Sequence, residues 1–128
     1  MSDLGIFSKA LEYGKRSLEI IKKQNDRVWV AASYTSVGVL LQNMGRYQEA
    51  LESHKKALKI HKELNDRVGL AQDYYNISFV LVNTSKYETL KSLYNALRIL
   101  KGFEKQNGYH HPLMDRVNDR ISHVKEYH

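Results

Sequence analysis

The chain has no cysteine. Disulfide frameworks, zinc–thiolate sites and thiol nucleophiles are excluded, and a reducing compartment is compatible with the fold. It has one proline, Pro112, so little interrupts helix over the rest of its length. No stretch approaches the roughly 20 apolar residues that span a bilayer, and the opening Met1-Ser-Asp-Leu-Gly-Ile-Phe lacks the basic and apolar regions of an export signal. The chain reads as cytoplasmic and free of the membrane, which makes the glycosylation triplets at Asn76 and Asn83 chance matches. Catalytic signatures are missing too. There is no Gly-x-Ser-x-Gly elbow, and Gly14-Lys15-Arg16-Ser17 lacks both the earlier glycine and the closing Lys-Ser of a phosphate loop. The expectation is a protein that is not an enzyme and holds no cofactor.

A length of 128 residues suits one domain with a core of its own. The net charge is +6, from 20 Lys and Arg against 14 Asp and Glu. The cations are interleaved with acids along helical segments and so read as solvated faces. Six histidines are present. His54 and His61 lie two helical turns apart, about 10 Å of rise, too far for one ion. His111 and Asp115 share a face but lack a third ligand, so the histidines read as ordinary exposed side chains and no metal is expected.

What the sequence does contain is a duplication. At an offset of forty, Ala10, Leu11, Glu12, Lys15, Leu18 and Ile20 recur as Ala50, Leu51, Glu52, Lys55, Leu58 and Ile60. Further on, Asn25-Asp-Arg-Val28 recurs as Asn65-Asp-Arg-Val68, and Ala31 and Tyr34 recur as Ala71 and Tyr74. Apolar residues spaced three and four apart make the repeated unit two helices. The first is expected over 28–43, with Asp26 as N-cap and Gly45 as the left-handed stop, and the second over 47–64. A turn of a few residues makes them antiparallel neighbours, and such hairpins bury their apolar faces by stacking. Small residues at Gly38, Ala50 and Ala57 permit close helix approach, with Tyr34, Leu41 and Tyr47 filling the adjoining holes.

The spacing Tyr34, Val37-Gly38, Leu41, Gly45, Tyr47, Ala50, Ala57-Leu58 resembles the tetratricopeptide repeat. Tyr74, Ile77-Ser78, Leu81, Ser85, Tyr87 and Ala96-Leu97 repeat it more loosely. The period of forty and the absence of a proline after the second helix resemble the extended class of that family, found in kinesin light chains and bacterial peptide receptors. The resemblance implies an all-α helical hairpin array (an α-solenoid) in a single domain. Its parts would be a half repeat over 1–25, repeats over 26–65 and 66–106, and a capping helix over 110–127. In the second full repeat, Tyr87 to Ala96 is one residue shorter than Tyr47 to Ala57, with Leu90 in the place of Ala50. The capping helix carries Met114, Val117, Ile121 and Val124 on one stripe and opens at Pro112. Met1 to Gly5 read as the remnant of a preceding helix.

The resemblance further implies a scaffold that binds a peptide or helix in a concave groove. The groove positions carried over to this chain are Ala32, Thr35, Val39, Gln42 and Asn43 in one repeat, and Gln72, Tyr75, Phe79, Val82 and Asn83 in the next. Asn76 resembles an asparagine that holds ligand backbone. The family's carboxylate clamp requires Lys and Asn where this chain has Thr35, Val39, Tyr75 and Phe79, so that specificity is not expected. Phe79 and Val39 are alternatively contacts for the capping helix. A second function class is self-association through Phe7, Ala10, Leu11, Leu18 and Ile21, which lack a covering helix unless Trp29 and Val30 fold over them. A third is nucleic-acid binding by Lys15, Arg16, Lys22, Lys23, Lys55, Lys56, Lys59 and Lys62. It is disfavoured because no aromatic residues are interleaved for base stacking.

Overall fold

The computed structural model describes residues 3–128, with side chains from Gly5 onward. Six helices follow one another: α1 (Asp3–Lys23), α2 (Arg27–Asn43), α3 (Tyr47–Glu63), α4 (Arg67–Leu81), α5 (Lys86–Asn107) and α6 (Pro112–Tyr127). Among the described residues there is no strand, and the all-α hairpin repeat expected from the duplication is the fold adopted. Of the stretch read as the remnant of a preceding helix, Met1 and Ser2 lie outside the described residues. Asp3 to Gly5 belong to α1 itself. The chain divides into two compact units between Leu64 and Asn65.

The duplicated Asn-Asp is a stop-and-start signal for helices. Asn25 and Asn65 both adopt a left-handed φ of 56°, a conformation that asparagine tolerates better than most side chains. The aspartate that follows each caps the next helix: Asp26 accepts from the backbone N–H of Trp29 and Asp66 from that of Gly69. Each satisfies one of the N–H groups that a helix start leaves unpaired. Gly45 closes the α2–α3 turn with φ 76°, as its place in the pattern predicts.

In the first unit, α2 lies between α1 and α3. Leu18 of α1, Val30 and Ala31 of α2 and Ile60 of α3 form one apolar cluster, with Ile21 and Tyr34 packed against it. The expectation of an uncovered patch on α1 is corrected here: Leu11 and Leu18 are buried and Phe7, Ala10 and Ile21 are half-buried. The reason is that α1 turns this side to α2, where Val30 joins Leu18; Trp29 stays out in solvent. Among the described side chains of α1, the exposed large apolar ones are Ile6, Tyr13 and Ile20, at 57%, 65% and 58%, spaced by seven along one stripe. Tyr47 is also exposed and does not fill an interhelical hole, because it opens α3 at the edge of the hairpin.

Close approach of α2 and α3 rests on Gly38, Ala50 and Ala57, all buried. His54, read from the sequence as exposed, is 0% accessible. Its ring fills the space beside Gly38, where a Cβ would come within 2.6 Å of it. Burial pushes the His54 pKa down to about 4, and neither ring nitrogen has a hydrogen-bond partner.

In the second unit, Leu93, Ala96 and Leu100 of α5 pack with Leu113, Met114, Val117, Ile121 and Val124 of α6 and with Ala71 of α4. The capping stripe is thus buried as expected. His111 is the N-cap of α6, its Nδ1 accepting from the Leu113 N–H, with Pro112 in the first turn.

The two hairpins show where the shorter repeat loses its residue. Ser53 donates to the Tyr34 carbonyl, and Ser92 donates to the Tyr74 carbonyl, both at 2.7 Å. Ala50 N–H bonds Arg46 O, and Thr89 N–H bonds Ser85 O. The offset is therefore forty on the first helices and thirty-nine from the start of α5 onward. Thr89, not Leu90, stands where Ala50 does, and Thr89 and Ala50 are both fully buried. The deletion falls in the α4–α5 turn, where Thr84 and Ser85 N–H groups both bond Leu81 O and no glycine is needed.

Candidate functional site

On α2, Trp29, Ala32, Ser36, Val39 and Asn43 recur at steps of three and four, and all are exposed. They share one face by helical periodicity. Val39 and Asn43 of the expected groove stand on it. Gln42 is half-buried, and Thr35 is half-buried with its hydroxyl donating to Ala31 O at 3.2 Å. Trp29 was not among the groove positions because the repeat pattern places no functional residue there. Its exposure of 61% marks it as the largest apolar contribution to this face.

On α4 the expected residues form a more developed surface. Tyr75 and Phe79, one turn apart, meet edge to face at 5.1 Å between ring centroids. Gln72 Nε2 donates to Asn76 Oδ1 at 3.0 Å, so these two amides form a second pair on the helix. All four are half-buried. Val82 packs against the unit's apolar core and Asn83 is exposed. The surface is uncharged along α4, with aromatic and amide groups side by side.

The α6 helix adds a cation to this surface. The guanidinium carbon of Arg120 lies 4.1 Å from the Phe79 ring centroid, a cation–π distance. The alternative reading of Phe79 as a capping-helix contact is thus realised for this residue, by a cation and not by an apolar group. Burial holds the Arg120 pKa below its ordinary value. Sequence reasoning passed over Arg120 because only the placement of α6 against α4 brings it to the aromatic pair.

Two other polar clusters lie outside these faces. Tyr34 stands between Lys22 and Lys56, which lie 5.4 and 5.5 Å from its ring centroid, and the hydrogen bond to Tyr34 raises the Lys22 pKa. These three side chains help line a cleft of about 290 Å³ that also holds Glu19, Glu49 and Glu52. At the start of α6, His110 Nε2 meets Asp115 Oδ1 at 2.9 Å and Nδ1 faces Glu104 at 3.4 Å. Asp115 thus pairs with His110, while His111 is occupied with its cap. Among the described residues no three His, Asp or Glu side chains converge in a way that would hold a metal ion. Gly14 to Ser17 are helical, within α1.

A tetratricopeptide repeat family model matches residues 3–63 and again residues 29–89. Those spans cover more than half of the chain, which belongs to the tetratricopeptide repeat family. Repeats of this family generally mediate protein–protein interaction and scaffolding. No curated protein matches the chain. Among the described residues no helix is long and apolar enough to cross a membrane.

Proposed function

We propose that the chain is a non-catalytic interaction module that binds a peptide or helix, with α4 supplying the principal contact. The observation that carries this reading is the α4 surface, where the Tyr75–Phe79 pair adjoins the Gln72–Asn76 amide pair. Aromatic residues at a partly desolvated surface supply most of the energy in peptide interfaces, and side-chain amides match the donors and acceptors of an extended backbone. In the first unit the α2 face, with Trp29, Val39 and Asn43 exposed and Thr35 and Gln42 at its margin, is a candidate surface of its own; Val82 and Asn83 stand at the margin of the α4 surface. A peptide array probed with the intact protein and with Phe79→Ala tests the reading. Binding that falls by about 10-fold or more in the variant supports it; an array equally bound by both overturns it.

A second reading, self-association, is favoured by the exposed stripe on α1. Tyr13 and Ile20 stand forty before Ser53 and Ile60, both buried on α3, so the stripe is the side of the helix that its repeat counterpart covers. The surface for this reading is Ile6, Tyr13 and Ile20 in place of the patch centred on Leu11 and Leu18. Sedimentation over a concentration range tests it: a weight-average mass that rises with concentration, and stays monomeric in Tyr13→Glu, is the expected result.

A further inference from the structure

The apolar stripe on α1 has one edge of a single charge. Lys9, Arg16 and Lys23 stand three residues after Ile6, Tyr13 and Ile20, and all three are exposed. A step of three reaches a neighbouring position on a helix surface, so a row of cations runs beside the apolar row at the same interval of seven. Among the described residues only Arg16 of the three has an ion pair, with Glu12 at 2.9 Å, and so exposed a pair holds little energy. Ala10 and Ser17 on the opposite edge carry no charge. Glu12 and Glu19 lie one position behind the cations, further from the stripe.

The repeat shows what kind of body such a side receives. Forty residues on from Tyr13 and Ile20, Ser53 of α3 donates to the Tyr34 carbonyl of α2, and Ile60 packs with Val30 and Ala31 of α2. That side of α3 is closed by an antiparallel helix, and apolar groups seven apart are a seam along which helices pair. A second copy of α1 does not supply the opposite charge. Laid antiparallel it brings like edge to like edge, cations against cations, and laid parallel it sets Ala10 and Ser17 against them. A broad anionic surface, lipid or nucleic acid, would meet Glu12 and Glu19 together with the cations. The edge of one helix meets the cation row alone.

We propose that the α1 stripe docks an amphipathic helix of another polypeptide, antiparallel to α1. Its apolar residues, seven apart, lie against Ile6, Tyr13 and Ile20, and a row of Asp or Glu along one edge lies against Lys9, Arg16 and Lys23. The surface is the one on which the self-association reading rests, and the acidic helix is its stronger occupant. It covers the same apolar groups and pairs the cations that a second copy leaves unmatched. Charge along the edge sets the choice of partner and its direction, while the apolar seam supplies most of the attraction.

The test titrates the full chain, by fluorescence anisotropy, with three labelled lactam-stapled helices that share one heptad seam of leucines. Along one edge they carry Glu, Gln or Lys at the matching interval. The Glu-edged helix should bind about 5- to 20-fold more tightly than the Gln-edged one, and the Lys-edged helix more weakly than either, with the differences shrinking in high salt. Lys9→Glu combined with Lys23→Glu should reverse that order, and both side chains are exposed, so the fold is kept. Tyr13→Glu should abolish binding of all three helices, while Phe79→Ala, which tests the α4 reading, should leave it unchanged. Equal affinity for the three edges, or binding of none, overturns the acidic partner. Binding that survives Tyr13→Glu overturns the site. Phosphatidylserine vesicles bound in preference to all three helices assign the stripe to a membrane surface and overturn the proposal as well. Sedimentation with saturating Glu-edged helix separates the two occupants. A one-to-one complex supports the docked helix, whereas a self-associated mass that the helix leaves unchanged overturns it and leaves the self-association reading standing.

Discussion

The His54 ring occupies the volume that a side chain at Gly38 would need: a Cβ on Gly38 would lie 2.6 Å from His54 Cε1. At the corresponding places of the second unit stand Ser78 and Leu93, both fully buried. The two units thus solve one contact with different pairs, a glycine under a large planar ring and a serine under a branched aliphatic chain. The members of each pair are not interchangeable one at a time. Gly38→Ser alone should destabilise the first unit by about 1–3 kcal/mol through overpacking. His54→Leu with Gly38→Ser, which copies the second unit's pair, should recover most of that loss. Urea melts of both single variants and the double variant, read as a thermodynamic cycle, measure the coupling.

Acid should weaken the fold through the same ring. The His54 pKa is pushed down to about 4 by burial, against about 6.5 in an unfolded chain. Between those values the unfolded state binds more protons than the folded one, so stability falls as pH drops from 6.5 towards 4. The loss by pH 4.5 should be about 2–3 kcal/mol. Denaturant titrations at pH 7 and pH 4.5 should show it, and in His54→Leu this part of the pH dependence should vanish.

His110 works in the opposite direction. Asp115 first and Glu104 second raise its pKa, so its contribution to stability is fully present below about 6.5 and is lost as pH rises through the raised folded value. The group is exposed and the effect on stability is screened, which makes the titration itself the better readout. Proton NMR of the His110 ring should give a pKa above the usual histidine value, and Asp115→Asn should bring it down.

The Asn-Asp turns should respond to substitution in a graded way. Asn65→Ala places an L side chain at φ 56° without the local hydrogen bonding open to asparagine, at a cost of about 1 kcal/mol; Asn65→Gly should be tolerated. Asp66→Ala removes the bond to Gly69 N–H and should cost about 1 kcal/mol. Thermal melts of the three variants should place Asn65→Gly nearest the parent, with Asn65→Ala and Asp66→Ala both clearly lower.

Much of the fold was legible because its signals are local and duplicated. The helix bounds follow from Asp26, Gly45 and Pro112 to within a residue or two, and the stripe from Met114 to Val124 forecast the buried face of α6. What escaped depends on neighbours that no spacing reveals. His54 looks like a surface histidine until Gly38 is placed against it, and the buried side of α1 is set by which face α2 meets. The register change was visible as a shorter interval, but the sequence places it within α5 with Leu90 at Ala50's position; only the burial of Thr89 and its bond to Ser85 O move it to the turn. Of the site, Tyr75, Phe79 and Asn76 could be named from the pattern. Arg120 could not, because its role arises from α6 lying over Phe79.

The residue lost from the α4–α5 turn bears on anyone recombining the two hairpins. A chimera cut by counting forty would join Arg46 to Tyr87, so that every transplanted side chain is rotated by about 100° about the helix axis. Apolar groups meant for the interior would then emerge into water. Cut instead between Arg46 and Lys86, where the caps Arg46 and Ser85 correspond, the donor helix keeps its inward side, and the modules become exchangeable parts.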